Sequence, residues 1–407
     1  MESRNFCKMV GTTLAVLAVT IIVGAGSALA VTYKTLHRFT GGVDGNYPVA
    51  ALIIDADGNL YGTTAYGGNS FGTVFTLTRN ADGSWVEHVL YTFDGGAGGA
   101  YPYGGLVLDA AGNLYGTTDN GGDYRLGIAF KLTRNADGSW AEQVLHSFGS
   151  DIIDAGLASD LIFDETGNLY GTTLGDGTYG TVFQLVPNAD GTWTENTLHI
   201  FMPHDPSEAP PYVGLVRDAA GNLYGTTSPS GRYEFGSVFK LTPNPDGTWT
   251  LSVLHRFSGG KDGGMPSNSA DLMLDATGIV YGTTQGGGYG CGVVFKLTPN
   301  LDGTWTHHVL HFFACGKDGR APKGVISDAA GNLYGTTQVG GAYGYGMVFK
   351  LYRTGSGGWA EKVLWNFRKK PGAYPWARLV LDREGNLYGT TGGDVSNTFG
   401  TVFEITP

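Results

Sequence analysis

Apolar positions in this chain come in short runs separated by turn residues, and the first unit after residue 50 shows the pattern. Leu52-Ile53-Ile54-Asp55 is a brief apolar run, and Ala56-Asp57-Gly58-Asn59 reads as a turn. Residues 60–64 form a second run, followed by a Gly-rich loop at 65–70. Residues 73–78 form a third run with Phe75 and Leu77 on one parity, and Asn80-Ala81-Asp82-Gly83 is another tight turn. Residues 85–93 form the fourth run, with Trp85, Val89, Tyr91 and Phe93 on one parity. Period-two alternation joined by Asp-Gly and Gly-Asn turns predicts antiparallel hairpins, hence four strands per unit, a to d. No stretch carries a helical period.

The unit repeats. Tyr-Gly-Thr-Thr occurs seven times, starting at Tyr61, Tyr115, Tyr170, Tyr224, Tyr281, Tyr334 and Tyr388, at intervals of 53–57 residues. So even a spacing means one supersecondary unit copied along the chain. Four antiparallel strands in each of seven units, without helices, predict an all-β, seven-bladed β-propeller. Residues 33–39 match strand d elsewhere, as in Leu254-His255-Arg256-Phe257, while the chain closes on strand c at residues 400–405. The first strand therefore completes the last blade, and closure shields the sheet edges. The glycine inside each Tyr-Gly-Thr-Thr implies a close backbone approach, read here as tight stacking of one sheet on the next.

Composition adds a location. Arg4 and Lys8 precede a mostly apolar stretch at 9–23, and Ala28-Leu29-Ala30 has the small-x-small form of a cleavage site. Residues 1–30 read as a secretory signal peptide and 31–407 as a single propeller domain. Removal of Glu2, Arg4 and Lys8 leaves 23 basic against 35 acidic residues. An acidic body without a basic cluster argues against nucleic acid and anionic membrane surfaces as partners. The expectation is a secreted or periplasmic monomer with no membrane span after processing.

Gly-Asn-Leu-Tyr-Gly-Thr-Thr recurs letter for letter at 112–118, 221–227 and 331–337, each followed by a Gly-rich loop and a Gly-x-Val-Phe-like strand. This resembles the GloVer repeat of secreted bacterial proteins, over essentially everything after the signal peptide. Copies three and five drift, with Leu174-Gly175-Asp176-Gly177 and Gly278-Ile279-Val280. The resemblance implies a propeller and carries no assigned activity or catalytic residues. Some members bear a surface-sorting tail; the lack of one here implies release or non-covalent retention.

Candidate chemistry is sparse. Cys291 precedes strand c of unit five and Cys315 follows its strand d, places that antiparallel pairing brings together, so a disulfide is expected in an oxidising compartment. His37, His146, His199, His255 and His311 share one place in strand d, with Tyr91 and Trp365 in the other units. Spread one per unit, they read as structural, as do Trp85, Trp140, Trp193, Trp249, Trp305 and Trp359. Asp55-Ala56-Asp57-Gly58-Asn59 opens like a calcium loop but lacks the closing acidic residue, so it reads as a hairpin turn. Lys131, Lys240, Lys296 and Lys350 read as solvated, with stems over neighbouring sheets. No metal, cofactor or catalytic set is expected.

The b–c and d–a loops vary in sequence and emerge at one face, whereas the a–b and c–d turns are short and uniform. Varied loops on a fixed scaffold are where binding sits. Aromatic residues crowd these loops, and Tyr66, Tyr101, Tyr124, Tyr179, Tyr233, Tyr289, Tyr343 and Trp376 are the candidate ligand-binding set; Tyr-Pro pairs such as Tyr47-Pro48 could alternatively just cover the loop bases. The leading reading is a binding, adhesion or structural module for a polysaccharide or a cell-surface protein. The alternative is a carbohydrate-active hydrolase or lyase at the mouth of the central channel. It would use residues that break the repeat: Asp154, Asp160, His204, Asp205, Glu208, Glu234 and Asp271.

Overall fold

The computed structural model describes residues 30–150, 159–175, 180–202, 209–211, 214–227, 235–266, 272–370, 372–393 and 399–407. Seven antiparallel sheets follow one another in a ring, each in the order a-b-c-d. In blade 1 these strands are Ile53–Ile54, Leu60–Thr64, Thr73–Arg79 and Trp85–Thr92. Blade 5 gains a further strand, Gly264–Pro266, on its strand b. Blade 7 is closed by the first strand of the chain: Thr32–Arg38 pairs antiparallel with Thr401–Thr406, from Thr32 opposite Thr406 to Arg38 opposite Thr401. The fold is the seven-bladed β-propeller that the repeat implied.

The repeat motif is explained by what each of its residues touches. The tyrosine hydroxyl donates to the aspartate that opens the a–b turn, Tyr61 to Asp55 at 3.0 Å and Tyr388 to Asp382 at 2.9 Å. The same carboxylate accepts the turn's backbone N–H groups and the Asn side chain, as Asp109 does from Ala111, Asn113 and Asn113 Nδ2. With its oxygens filled by these donors, Asp55-Ala56-Asp57-Gly58-Asn59 is a hairpin turn. The first threonine crosses to the next blade: Thr63 donates to the Gly104 carbonyl, and Thr390 donates to that of Ala50 at 3.1 Å. The second threonine pairs with the first residue of strand c, as in Thr64 with Thr73 at 2.8 Å.

A side chain on the motif's glycine would collide within its own blade, not with the neighbour. A Cβ on Gly62 would lie 2.7 Å from Phe75 and 2.8 Å from Leu52. The Phe75 ring of strand c lies over the glycine opposite it in register. The stacking between blades is carried elsewhere. The phenylalanine ending each strand d packs against the strand-c phenylalanine of the following blade, from Phe39–Phe75 at 5.1 Å to Phe367–Phe403 at 5.1 Å. These rings are almost wholly excluded from solvent. Truncating one such ring costs about 3–5 kcal/mol. The tryptophans are packing residues too: Trp85 lies 6.1 Å from Tyr388, and Trp305 6.1 Å from Tyr224, each reaching back to the preceding blade.

Strand d does not keep one parity. Val74 pairs with Tyr91 but Phe75 pairs with Val89, so Leu90 is a bulge; Leu36 occupies the same place in the first strand. An extra residue switches the side on which later side chains emerge. Before the bulge, Trp305 and Val309 face blade 4; from the same bulge onward in blade 4, Leu254 and Phe257 face blade 5. This switch brings residues from adjacent strands d together in each seam.

Candidate functional site

The d–a and b–c loops do share one face. Asn46 and Tyr66 exchange backbone hydrogen bonds, as do Ala100 and Asn120. Here the chain uses an unusual backbone: Tyr47, Tyr101, Met265, Ala321 and Tyr374, each directly before a proline, all have φ between 54° and 63°. Bulky residues rarely accept that region, and the position before proline is normally extended. The conformation is held from both sides. The Tyr101 N–H donates to Phe71 of blade 1 at 2.8 Å, while its carbonyl accepts from Asp119 of blade 2 at 3.0 Å. The proline then lies against the glycine before strand c of the preceding blade. Gly72 has φ 97°, and a Cβ there would meet Pro102 at 2.6 Å. Tyr-Pro therefore staples consecutive blades, and Met265 and Ala321 show that the staple forms without an aromatic ring.

Where the staple does carry a ring, the rings meet. Trp376 lies 6.1 Å from Tyr47, Tyr47 lies 5.9 Å from Tyr66, and Tyr66 lies 5.5 Å from Tyr101 and 6.1 Å from Tyr103. The Tyr66 and Tyr103 hydroxyls are hydrogen-bonded at 2.5 Å. Burial, then that bond, holds the Tyr103 hydroxyl well above its ordinary range. At one end of the strip the Lys323 ammonium sits 4.8 Å over the Trp376 ring. Lys323 is buried, and desolvation pulls it down to about 8. At the other end lies Asp119, whose carboxyl is raised by burial. The strip thus runs through the loops of blades 7, 1 and 2, with a cation and a carboxyl at its ends.

Of the eight aromatic candidates, the structure brings together Tyr66, Tyr101 and Trp376. Tyr124, Tyr289 and Tyr343 are exposed and make none of these ring contacts: Tyr124 is in the b–c loop of blade 2, Tyr289 is 72 % exposed against Phe312, and the Tyr343 hydroxyl accepts from the Arg368 guanidinium, which lies 4.3 Å over its ring. Tyr179 and Tyr233 lie outside the described residues. So do Asp154, His204, Asp205, Glu208, Glu234 and Asp271. Asp160 is described, and its carboxylate accepts the Gly105 N–H of the preceding blade at 2.5 Å, a tie between blades. The candidate ligand-binding set left out Tyr47 and Tyr103, although their place beside proline in the d–a loops was a usable signal. It also missed Lys323, a charge that breaks the repeat inside strand a of blade 6, Arg320–Ser327.

The disulfide between Cys291 and Cys315 is present, with the Cα atoms 5.4 Å apart. It replaces a contact of the other blades. At the equivalent loop positions Phe71 lies against Gly95, Phe235 against Gly259 and Phe399 against Gly41. Blade 5 puts cysteine in both places. The strand-c lysines do not extend over neighbouring sheets as expected: the Lys131 and Lys350 ammonium groups lie 5.5 and 5.1 Å over Tyr115 and Tyr334, the tyrosines of their own blades.

The strand-d histidines lie after the bulge and face the next blade. Each packs edge-on against the following phenylalanine, as in His311–Phe313 at 4.7 Å. Across several seams the residue at this place meets one near the start of the next strand d. Tyr91 donates to Glu142 at 2.8 Å, His255 stacks on His307 at 4.1 Å, and Trp365 stacks on Tyr33 at 4.4 Å. Burial raises Glu87 and Glu142 to about 7 and Glu361 to about 8, and lowers His307 to about 4. The histidines were expected to lack convergent partners. At the seam of blades 5 and 6, His311, Asp318 and Glu361 do converge, with one ligand atom from each within 4.8 Å of the others.

The family model described as the Gloeobacter/Verrucomicrobia repeat matches residues 25–179, 157–309 and 272–407. No curated protein matches the chain. Among solved structures it is similar to the extracellular domain of a one-component system from B. thetaiotaomicron, at TM-score 0.58 and 13% identity, covering 93% of this chain and 42% of that one. It is also similar to a periplasmic gluconolactonase of Pseudomonas aeruginosa, at TM-score 0.51 and 15% identity over 82% of this chain and 95% of that one. A polysaccharide lyase matches at TM-score 0.52 and 10% identity, over 88% and 89%. The chain spans less than half the length of the first of these, and at such identities the likeness is one of fold.

Proposed function

The chain belongs to the Gloeobacter/Verrucomicrobia repeat family, and on that scaffold we propose a secreted binding module that holds a polysaccharide along the aromatic strip of its loop face. The observation that carries this reading is the run of rings from Trp376 through Tyr47 and Tyr66 to Tyr101 and Tyr103 across three consecutive blades. The blade-to-blade staple does not require them, since Met265 and Ala321 adopt the same backbone. Flat rings with hydroxyl groups at their edges suit the apolar faces and hydroxyls of sugar rings. The disulfide, and the extracellular and periplasmic settings of two similar structures, fit a secreted protein. Among the described residues no helix is long and apolar enough to cross a membrane. In this reading residues 1–30 direct export and are removed after Ala30.

The test uses protein recovered from culture medium, whose intact mass should begin at Val31. It is titrated with a panel of soluble polysaccharides. Tyr66→Ala and Trp376→Ala should each weaken the best binder about tenfold or more, as central aromatic anchors do. Equal affinity in both variants would remove the strip from the proposal. Depolymerisation of the bound polymer would instead favour a carbohydrate-active enzyme.

A further inference from the structure

We propose that the seam between blades 5 and 6 is a binding site for a divalent transition ion of the Zn2+ class, ligated by His311, Asp318 and Glu361. The three residues come from three segments: strand d of blade 5 (Trp305–Phe312), the loop after it, and strand d of blade 6 (Trp359–Asn366). His311 Nε2 lies 3.6 Å from Asp318 Oδ1 and 4.0 Å from Glu361 Oε1. Both separations exceed hydrogen-bond length. His311 Nε2 and Glu361 Oε1 are buried atoms without a hydrogen-bond partner. Such atoms are costly to leave unmatched. Two ligands of a tetrahedral zinc ion at ordinary bond lengths stand about 3.4 Å apart, so the two His311 separations need only a small contraction. One imidazole and two carboxylates with a position left for water are a donor set that Zn2+ accepts.

The equivalent seams show why this one differs. The loops after blades 7 and 4 carry the same aspartate facing the same histidine, His37 with Asp44 and His255 with Asp262, both at 3.3 Å. There a hydroxyl occupies the aspartate's other oxygen: Thr40 donates to Asp44 Oδ1 at 2.6 Å, and Ser258 donates to Asp262 Oδ1. After blade 5 that residue is Ala314, whose N–H bonds Asp318 Oδ2 and whose side chain has no hydroxyl for Oδ1. Asp318 Oδ1 is the oxygen turned to His311. The across-seam residue is Glu361 here, His307 at the blade 4–5 seam and Glu87 at the blade 7–1 seam, so against the latter it is the missing hydroxyl, not the acidic residue, that sets this seam apart. Among the described residues this is the cluster of three such side chains that closes to within 4.8 Å. The same loop is tethered three residues earlier by Cys315 in the disulfide, which limits the freedom lost when an ion is bound. A bound ion would tie two blades together.

Calorimetric titration of the full mature protein with Zn2+, with Ca2+ as comparator, tests the assignment. We expect one saturable Zn2+ site per chain and a rise in melting temperature of about 3 °C at a hundredfold excess over Kd. Glu361→Gln and His311→Gln should each abolish that isotherm. Ala314→Thr, which restores the hydroxyl found at Thr40, should weaken Zn2+ at least about tenfold while leaving the melting temperature of the metal-free protein nearly unchanged. His37→Gln should leave Zn2+ binding intact. Absence of a saturable site, or a site unaffected by Glu361→Gln and Ala314→Thr, would overturn the proposal.

Discussion

The two faces of the ring treat polar side chains in opposite ways. On the turn face each a–b aspartate is saturated by its own hairpin and by the tyrosine of the same blade. The carboxyls of Asp109, Asp164, Asp218, Asp275, Asp328 and Asp382 are held below the ordinary range despite the burial that opposes it, Asp164 at about 2, by the hydroxyl, amide and backbone donors around them. Nothing is left over to offer a partner. On the opposite face the polar work is done by backbone staples, and side chains are released for other uses: tyrosines meet in a strip, and carboxyls such as Asp119 sit raised by burial. The same repeat thus provides a closed face that stabilises and an open face that can vary. Uniform sequence on one side and varied sequence on the other follow from how many of each loop's hydrogen bonds are satisfied locally.

The largest effect that would sharpen this contrast lies on the closed face. Asp109→Ala removes the acceptor of four hydrogen bonds, from Ala111, Asn113 twice and Tyr115. We expect a stability loss of about 2–3 kcal/mol in denaturant unfolding, with polysaccharide binding unchanged. A smaller effect separates the two kinds of carboxyl by pH. Glu142, between blades 1 and 2, is raised to about 7 by burial, with repulsion from Asp94 adding to it and the Tyr91 hydroxyl opposing. Its contribution is therefore complete below its unfolded value near 4.5 and is lost as pH rises through about 7. Asp164 has the opposite sign: its contribution is present above its unfolded value near 3.8 and is lost as pH falls through about 2. Melting temperatures should then decline between pH 5 and 8 by an amount that Glu142→Gln reduces, while the loss below pH 4 stays as in the parent. An unaltered decline in the variant would detach it from this seam. The smallest expected effect is on the open face itself. Tyr289→Ala, at a ring 72 % exposed and apart from the strip, should change stability by less than about 0.5 kcal/mol and binding not at all. Loss of binding there would extend the proposed ligand surface beyond blades 7, 1 and 2.

Much of this architecture was legible in the chain. The strands of blade 1 fall within a residue or two of the apolar runs, because period-two alternation and Asp-Gly turns are local properties. The pairing of residues 32–38 with 401–406 could be inferred because a missing last strand and a spare first one have a single economical solution. The cysteine pair followed from antiparallel neighbours at the two ends of one hairpin. The aromatic set was only partly legible: the loops were identified, but exposure and contact sort Tyr66, Tyr101 and Trp376 from Tyr124, Tyr289 and Tyr343. The Gly62 reading put the close approach at the wrong interface, since sequence shows that a side chain is missing but not which ring occupies its place.

What the amino-acid sequence determined by itself was everything that repeats with the period: four strands per blade, seven blades, turn chemistry and the way the ring shuts. Tertiary structure alone decided which side chains meet across the seams. One bulge, at Leu90 and its counterparts, reverses the side from which strand d presents its residues, so parity counted along the chain places His311 and Glu361 on unrelated surfaces. Only when adjacent blades pack do residues about fifty positions apart come within a few ångströms, and there burial raises a glutamate, leaves an imidazole nitrogen without a partner and gives one seam of a uniform ring a chemistry of its own.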